Sequence, residues 1–337
     1  MPTVSTAPGK VYLFGEHAVV YGEPAVPCAV ERRATVTVEP RADGNVRVRA
    51  EDLSLDGFTV EYDAGTAGPA VDAPTDLLEA ATGYVDEAVA QAREAADAAD
   101  AGFDVEVESE IPLGAGLGSS AAVVVAAIDA ATRSLGEPLE PVELADRAFR
   151  AEYTVQDGQA SRADTFASTM GGAVRVEGDD CRRIDAPALP FVVGFDGGAG
   201  DTGKLVAGVR ALREEHGFAA DTVAAIGDLV REGERVLADA PAGEPVDEAT
   251  LEALGGLMDF DHGLLSALGV SARSLDSMVW AAREAGATGA KLTGAGGGGC
   301  IVALDPTDAT ETALAYTPAC EEAFRAELAT EGVRRIE

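Results

Sequence analysis

Hydrophobic and polar positions alternate with period two in three short stretches near the start of the chain: ATVTVEP from Ala34, NVRVRA from Asn45 and GFTVEY from Gly57. Alternation of this kind predicts β-strands with one buried face. The period then becomes helical over about Thr75–Ala99, with an apolar face at Leu77, Leu78, Ala81, Tyr84 and Val85. FDVEVESE from Phe103 alternates again. It leads through PLGAGLGSSAA into an Ala/Val run from Ser119 that predicts a buried helix opened by serine caps. Beyond Gly171, GAVRVEG and FVVGFDG predict a β-pair, and helical patterns follow at Leu205–Glu215, Asp221–Ala238, Leu251–Leu268 and Ser271–Ala285. TGAKLT and CIVALD are strand-like, and a last acidic helix is expected over about Asp308–Glu331. The stretch DDCRRIDAPALP separates the strand-rich half from the helix-rich half, which divides the chain into domains 1–185 and 186–337.

At 337 residues and 47% hydrophobic content the chain has ample material for a core. Charge changes the picture more. With 59 acidic against 25 basic residues the formal net charge is −34, a field that repels nucleic-acid phosphates and anionic lipid. Only three of the basic residues are lysines, and the acids are dispersed rather than gathered in a tail. This is the composition expected of a protein adapted to molar salt, where the Debye length shrinks to about 3 Å and self-repulsion is screened. The four cysteines form no CxxC pair, which argues against zinc and a dense disulfide framework. MPTVSTAPGK does not read as a secretory leader, and the most apolar run, Ala121 to Ile128, falls short of the ~20 residues of a membrane span. A cytoplasmic protein is expected.

Three glycine-rich segments carry the candidate chemistry. GAGDTGKL (Gly198–Leu205) nearly spells a Walker A loop, but Leu205 has no hydroxyl for Mg²⁺. It is also readable as a turn capping a helix, or as a substrate or phosphate contact through Thr202 or Lys204. GAGGGG (Gly294–Gly299) satisfies G-x-G-x-x-G but runs into a strand instead of a helix, so the dinucleotide reading lacks its context. Its glycines suit a loop whose backbone approaches another surface or a ligand closely. PLGAGLGSSAA joins a strand to a helix start, where unpaired amides and the positive dipole end form an anion site. The retained lysines, Lys10, Lys204 and Lys291, each lie beside or just before a candidate ligand loop, which predicts phosphate or carboxylate contacts.

Taken in order, STAPGKVYLFGEHAVVYG (Ser5–Gly22), PLGAGLGSSAA (Pro112–Ala122) and AKLTGAGGGGC (Ala290–Cys300) resemble the GHMP kinase superfamily. DGQASRADTFASTMGG and VSARSLDSMVWAA extend the likeness over nearly the whole chain, and GEHAVVYG resembles the mevalonate kinase branch. The resemblance implies an α+β fold with a ribosomal protein S5 domain 2-like N-terminal domain and a ferredoxin-like C-terminal domain. It implies ATP and mevalonate as substrates with Mg²⁺, no nucleic-acid or membrane partner, and an assembly that could be a homodimer. The ATP phosphates would sit on Pro112, Leu113, Gly114, Ala115, Gly116, Leu117, Gly118, Ser119, Ser120 and Ala121.

By the same resemblance Asp164 matches the catalytic carboxylate, which accepts the proton of the C5 hydroxyl, and Lys10 the lysine beside it. Ser120 and Glu152 match the two Mg²⁺ ligands, His17 a substrate-contacting histidine within the Glu16–His17 pair, and Thr202 a threonine near the transferred phosphoryl group. Phosphoryl transfer needs these parts: positioning, a metal, cations around the developing charge and one base. A kinase for another small alcohol, such as phosphomevalonate or a sugar, and a non-catalytic ligand sensor are the competing functions. One position departs from the family. Arg162 stands where a glycine is usual, and it either enters the acceptor pocket or pairs with an acidic surface residue.

Overall fold

The computed structural model describes residues 1–50, 60–63, 75–112, 114–198 and 200–336, with side chains described outside 50–82. The first sheet is built from β1 (Thr3–Phe14), β2 (Val26–Arg41), β3 (Val46–Ala50), β4 (Val60–Asp63), β5 (Gly102–Ser109), β6 (Ala173–Glu177) and β7 (Asp180–Ile184). Interleaved with them are α1 (Thr75–Ala95), α2 (Ser119–Ser134), α3 (Pro141–Val155) and α4 (Ala163–Met170), which cover one face. The second sheet contains β8 (Phe191–Phe195), β9 (Gly289–Thr293), β10 (Cys300–Leu304) and β11 (Glu322–Ala326) in the antiparallel order β11-β8-β10-β9. Its helices are α5 (Thr202–Glu215), α6 (Gly217–Asp239), α7 (Glu248–Ala267), α8 (Arg273–Glu284) and α9 (Ala309–Ala315), and β12 (Arg334–Ile336) closes the chain.

The alternating stretches fold as their period dictates. Ala34, Val36 and Val38 of β2 are buried while Thr35 and Thr37 between them are less so. GFTVEY contributes β4, although Gly57–Thr59 lie outside the described residues, as do the side chains of Leu77, Leu78 and Ala81 on α1. β1 shows no such alternation because both its faces are covered: β2 and β12 flank it, α2 and α4 lie against it, and β9 and β10 approach from the second sheet. A strand with polar Ser, Thr and Lys buried among apolar neighbours has no period to read.

Three expectations are corrected. FVVGF does not pair with GAVRVEG. It is β8 of the second sheet, while β6 pairs with β7, a strand inside the stretch expected to be a connection. Gly178, at φ +58°, makes the two-residue turn that lets β6 and β7 close into a hairpin. The last acidic helix ends at Ala315, just before Thr317–Pro318, where the residue preceding proline disfavours helix. EAFRA beyond it is β11, its good helix formers overruled by pairing with β8, and β12 returns to pair with β1. Finally, α2 has no serine cap: Gly118, at φ +73°, occupies the cap position and offers no side chain to the first amides.

Candidate active site

Lys10 and Tyr12 sit two residues apart on β1 and therefore project from the same face. Opposite them Asp164 occupies the first turn of α4, where the helix dipole favours a negative charge. The Lys10 ammonium lies 3.2 Å from Asp164 Oδ2 and donates to Gly116 O at 2.8 Å. The Tyr12 hydroxyl donates to Asp164 Oδ1 at 2.9 Å. The lysine is 2% exposed and the aspartate 30%, so the carboxylate opens onto a cleft while its cation is held behind it. Glu16, His17, Gly116, Glu152 and Thr202 line the same cleft.

Ser120, in the first turn of α2, donates to Glu152 Oε1 at 2.7 Å across the α2–α3 contact. Burial first, and then the charge of Asp164, pushes the Glu152 carboxyl up to about 8, against the opposing pull of the Ser120 hydroxyl. The charge of Lys10 also opposes the shift, but it is the smallest of these effects. No group of three or more His, Cys, Asp or Glu suited to a metal occurs among the described residues. One carboxylate and one hydroxyl nevertheless fit Mg²⁺, which takes few protein ligands and fills its octahedron with phosphate oxygens and water.

The candidate phosphate loop is shaped by Gly114, Gly116 and Gly118, all at positive φ. It docks on β1 through the Lys10 amide, which donates to Leu117 O at 2.8 Å. GAGGGG closes over its other side as the turn between β9 and β10, so tightly that a Cβ on Gly294 would come within 2.7 Å of Gly116 Cα. The close-approach reading of that segment holds. The Ser119 hydroxyl is buried without a partner among the described residues, and α2 begins without a side-chain cap on its first amides. Leu113 lies outside the described residues. The start of α5 differs, because Asp201 accepts the Lys204 amide at 2.9 Å and caps the helix with its own carboxylate. This cap and the missing hydroxyl at Leu205 both argue against a Walker phosphate at the start of α5.

His17 has φ +59°, and its Nε2 lies 2.8 Å from Ala295 O. A carbonyl only accepts, so Nε2 carries the proton and Nδ1 is a buried acceptor without a partner among the described residues. Burial lowers the ring's pKa and keeps it neutral. Glu16 is not free for a ligand in the same way. It pairs with Lys291 of β9, whose ammonium also lies 3.4 Å from Asp261 of α7, and all three are almost fully buried. Burial drives the Glu16 carboxyl up to about 8, Lys291 opposes the shift and Asp261 adds to it. The carboxylate contact expected of Lys291 is present, but its partners are two side chains of the protein itself, Glu16 and Asp261, rather than a ligand. Lys204 is exposed.

Arg162 turns away from the cleft. Its guanidinium pairs with Asp146 and Asp179 and lies 4.5 Å from the Phe149 ring centroid, so of the two expected placements the surface pairing is the one found. Sequence reasoning passed over Tyr12, whose signal was its spacing from Lys10. It also passed over Gln159, which lines the cleft with an Oε1 that has no partner among the described residues and carries no signal of its own.

Family models agree with this architecture. The one described as GHMP kinases N terminal domain matches residues 83–172, and GHMP kinases C terminal matches 246–318. A galactokinase galactose-binding signature matches residues 1–40. The mevalonate kinase of Thermococcus gammatolerans is 40% identical over 337 residues, covering 99% of this chain and 98% of its own. That of Pyrococcus furiosus is also 40% identical, with 99% and 98% covered. Among solved structures, L. major mevalonate kinase in complex with R-mevalonate superposes with a TM-score of 0.75 over 97% of this chain and 96% of that one, at 23% identity, a likeness of fold. On the full-length identity to these relatives, the chain belongs to the mevalonate kinase family of the GHMP kinases.

Proposed function

We propose that this protein transfers the γ-phosphoryl group of ATP to the C5 hydroxyl of (R)-mevalonate, forming 5-phosphomevalonate and ADP for isoprenoid synthesis. The observation that carries the reading is the Lys10–Asp164 pair at 3.2 Å, open to a cleft beside an uncapped helix start. Asp164 accepts the hydroxyl proton as that oxygen attacks phosphorus, and Lys10 steadies both the carboxylate and the charge gathering on the transferred group. The α2 amides and the loop Pro112–Ala121 receive the phosphates. Ser120 and Glu152 would hold Mg²⁺, which would supply positive charge to offset that of the nucleotide phosphates. His17 Nδ1 accepts a hydrogen bond from an acceptor-substrate hydroxyl, and Glu16 and Thr202 border the same substrate.

The division into domains 1–185 and 186–337 belongs to this reading, with the nucleotide between them, as do a cytoplasmic location and a homodimer. No helix among the described residues is long and apolar enough to cross a membrane. The net charge of −34 supports a requirement for high salt, since dilution restores repulsion within the folded state. The test is ADP release in molar KCl with mevalonate, phosphomevalonate, galactose and homoserine as acceptors. Turnover with mevalonate alone is expected. Preference for galactose would favour the reading that the 1–40 signature suggests, and no turnover with any alcohol would favour a ligand sensor.

A further inference from the structure

Asp164 is held by both of its oxygens, and both holders come from one strand. Lys10 reaches Oδ2 and Tyr12 reaches Oδ1, so the carboxylate plane is fixed by two donors two residues apart on β1. The tyrosine is itself immobilised. Its backbone N–H donates to Thr293 Oγ1 at 2.8 Å, tying it to β9, and its ring lies 4.4 Å from the Lys10 ammonium, within cation–π range. The side chain is 5% exposed, and its hydroxyl reaches the cleft wall instead of solvent.

We propose that Tyr12 is a positioning residue for phosphoryl transfer: its hydroxyl locks the Asp164 carboxylate in the rotamer that presents a free lone pair to the acceptor hydroxyl. This rests on the assignment of Asp164 as the proton acceptor. A carboxylate offers about four lone-pair sites, and the Tyr12 and Lys10 contacts take one on each oxygen, which leaves acceptor capacity towards the cleft. Burial and the neighbouring carboxylate both raise the phenol well above its ordinary range. Tyr12 therefore stays protonated and acts towards Asp164 as a donor. Without the hydroxyl, Asp164 is held at Oδ2 alone and can swing about its Cβ–Cγ bond. A near-attack arrangement is sensitive to displacements of that size.

Tyr12→Phe removes the donor and keeps the ring under Lys10. Hydrogen bonds to charged groups are typically worth about ten- to hundredfold in an equilibrium. A fall of roughly tenfold or more in kcat is expected, with KM for ATP and for mevalonate each within about twofold of the parent. Because Tyr12 acts through Asp164, the losses overlap: the double variant with Asp164→Asn should be no slower than Asp164→Asn alone. Unchanged kcat in Tyr12→Phe, a loss confined to KM for mevalonate, losses that multiply in the double variant, or a kcat loss that tracks a fall in folded fraction on melting would each overturn the proposal. If the parent protein is inactive with mevalonate, the proposed substrate is wrong. The same comparison on whichever alcohol supports turnover then decides the role of Tyr12.

Discussion

Two glycine-rich segments of this chain lead into helix starts, and in sequence the less relevant one looks closer to a nucleotide motif. GAGDTGKL misses the Walker pattern by one residue, yet the start of α5 is capped by the Asp201 carboxylate, which accepts the Lys204 amide. PLGAGLGSSAA matches no Walker pattern, yet the first turn of α2 has no side-chain cap, a buried Ser119 hydroxyl without a partner among the described residues, and Ser120 bonded to a buried carboxylate. The difference is one of occupancy. An anion site exists where nothing in the protein already satisfies the amides, and a single aspartate at the cap position removes it.

Changes at the open start should cost most. Ser120→Ala removes a metal-directed hydroxyl and leaves Glu152 alone, so Mg²⁺-dependent kcat should fall by about 10²-fold while mevalonate affinity holds. Full activity in this variant would break the contrast. Next in size is the effect of a Cβ at the crossing of the two loops. Gly294→Ala forces a side chain against Gly116 at φ +81°, and KM for ATP should rise about tenfold in steady-state assays.

Protonation sharpens the same point. The folded protein without a cation binds the Glu152 proton more tightly than an unfolded chain does, with a carboxyl near 8 against an ordinary 4.5. Glu16 shifts in the same direction. This contribution to stability is complete below pH about 4.5 and is lost as pH rises through about 8. Mg²⁺ with nucleotide should displace the Glu152 proton and flatten that part of the slope, which melting curves from pH 5 to 9 would show.

The capped start should respond least. Asp201→Ala should cost about 1 kcal/mol of stability through the lost cap and leave ATP affinity unchanged. Leu205→Ser, which completes the Walker spelling, should change neither. Nucleotide titration and melting curves measure both, and a strong gain in affinity from Leu205→Ser would reverse the comparison.

How much of this was legible depended on where each signal resides. Period-two stretches such as those at β2, β3 and β5, and the amphipathic helices of the second half, carry their structure locally and appear where the pattern put them. β1 does not, because burial on both faces erases alternation, and β11 does not, because EAFRA forms a helix as readily as a strand until β8 pairs with it. In the site, motifs pointed to Lys10, Asp164, Ser120 and Glu152, which the fold brings to one cleft or its wall. The fate of Lys291 was hidden, since its partners Glu16 and Asp261 lie 275 and 30 residues away. The same holds for Arg162, whose direction is set by Asp146, Asp179 and Phe149 on elements packed around it.

The assignment on which the site rests is that of Asp164 as proton acceptor, and the most direct measurement is kcat for mevalonate-dependent ADP release in Asp164→Asn beside a titration of ATP binding. The amide keeps the size of the side chain and removes its capacity to take a proton. A fall of roughly 10²-fold or more with ATP affinity intact is expected. Turnover within a few-fold of the parent protein would contradict it.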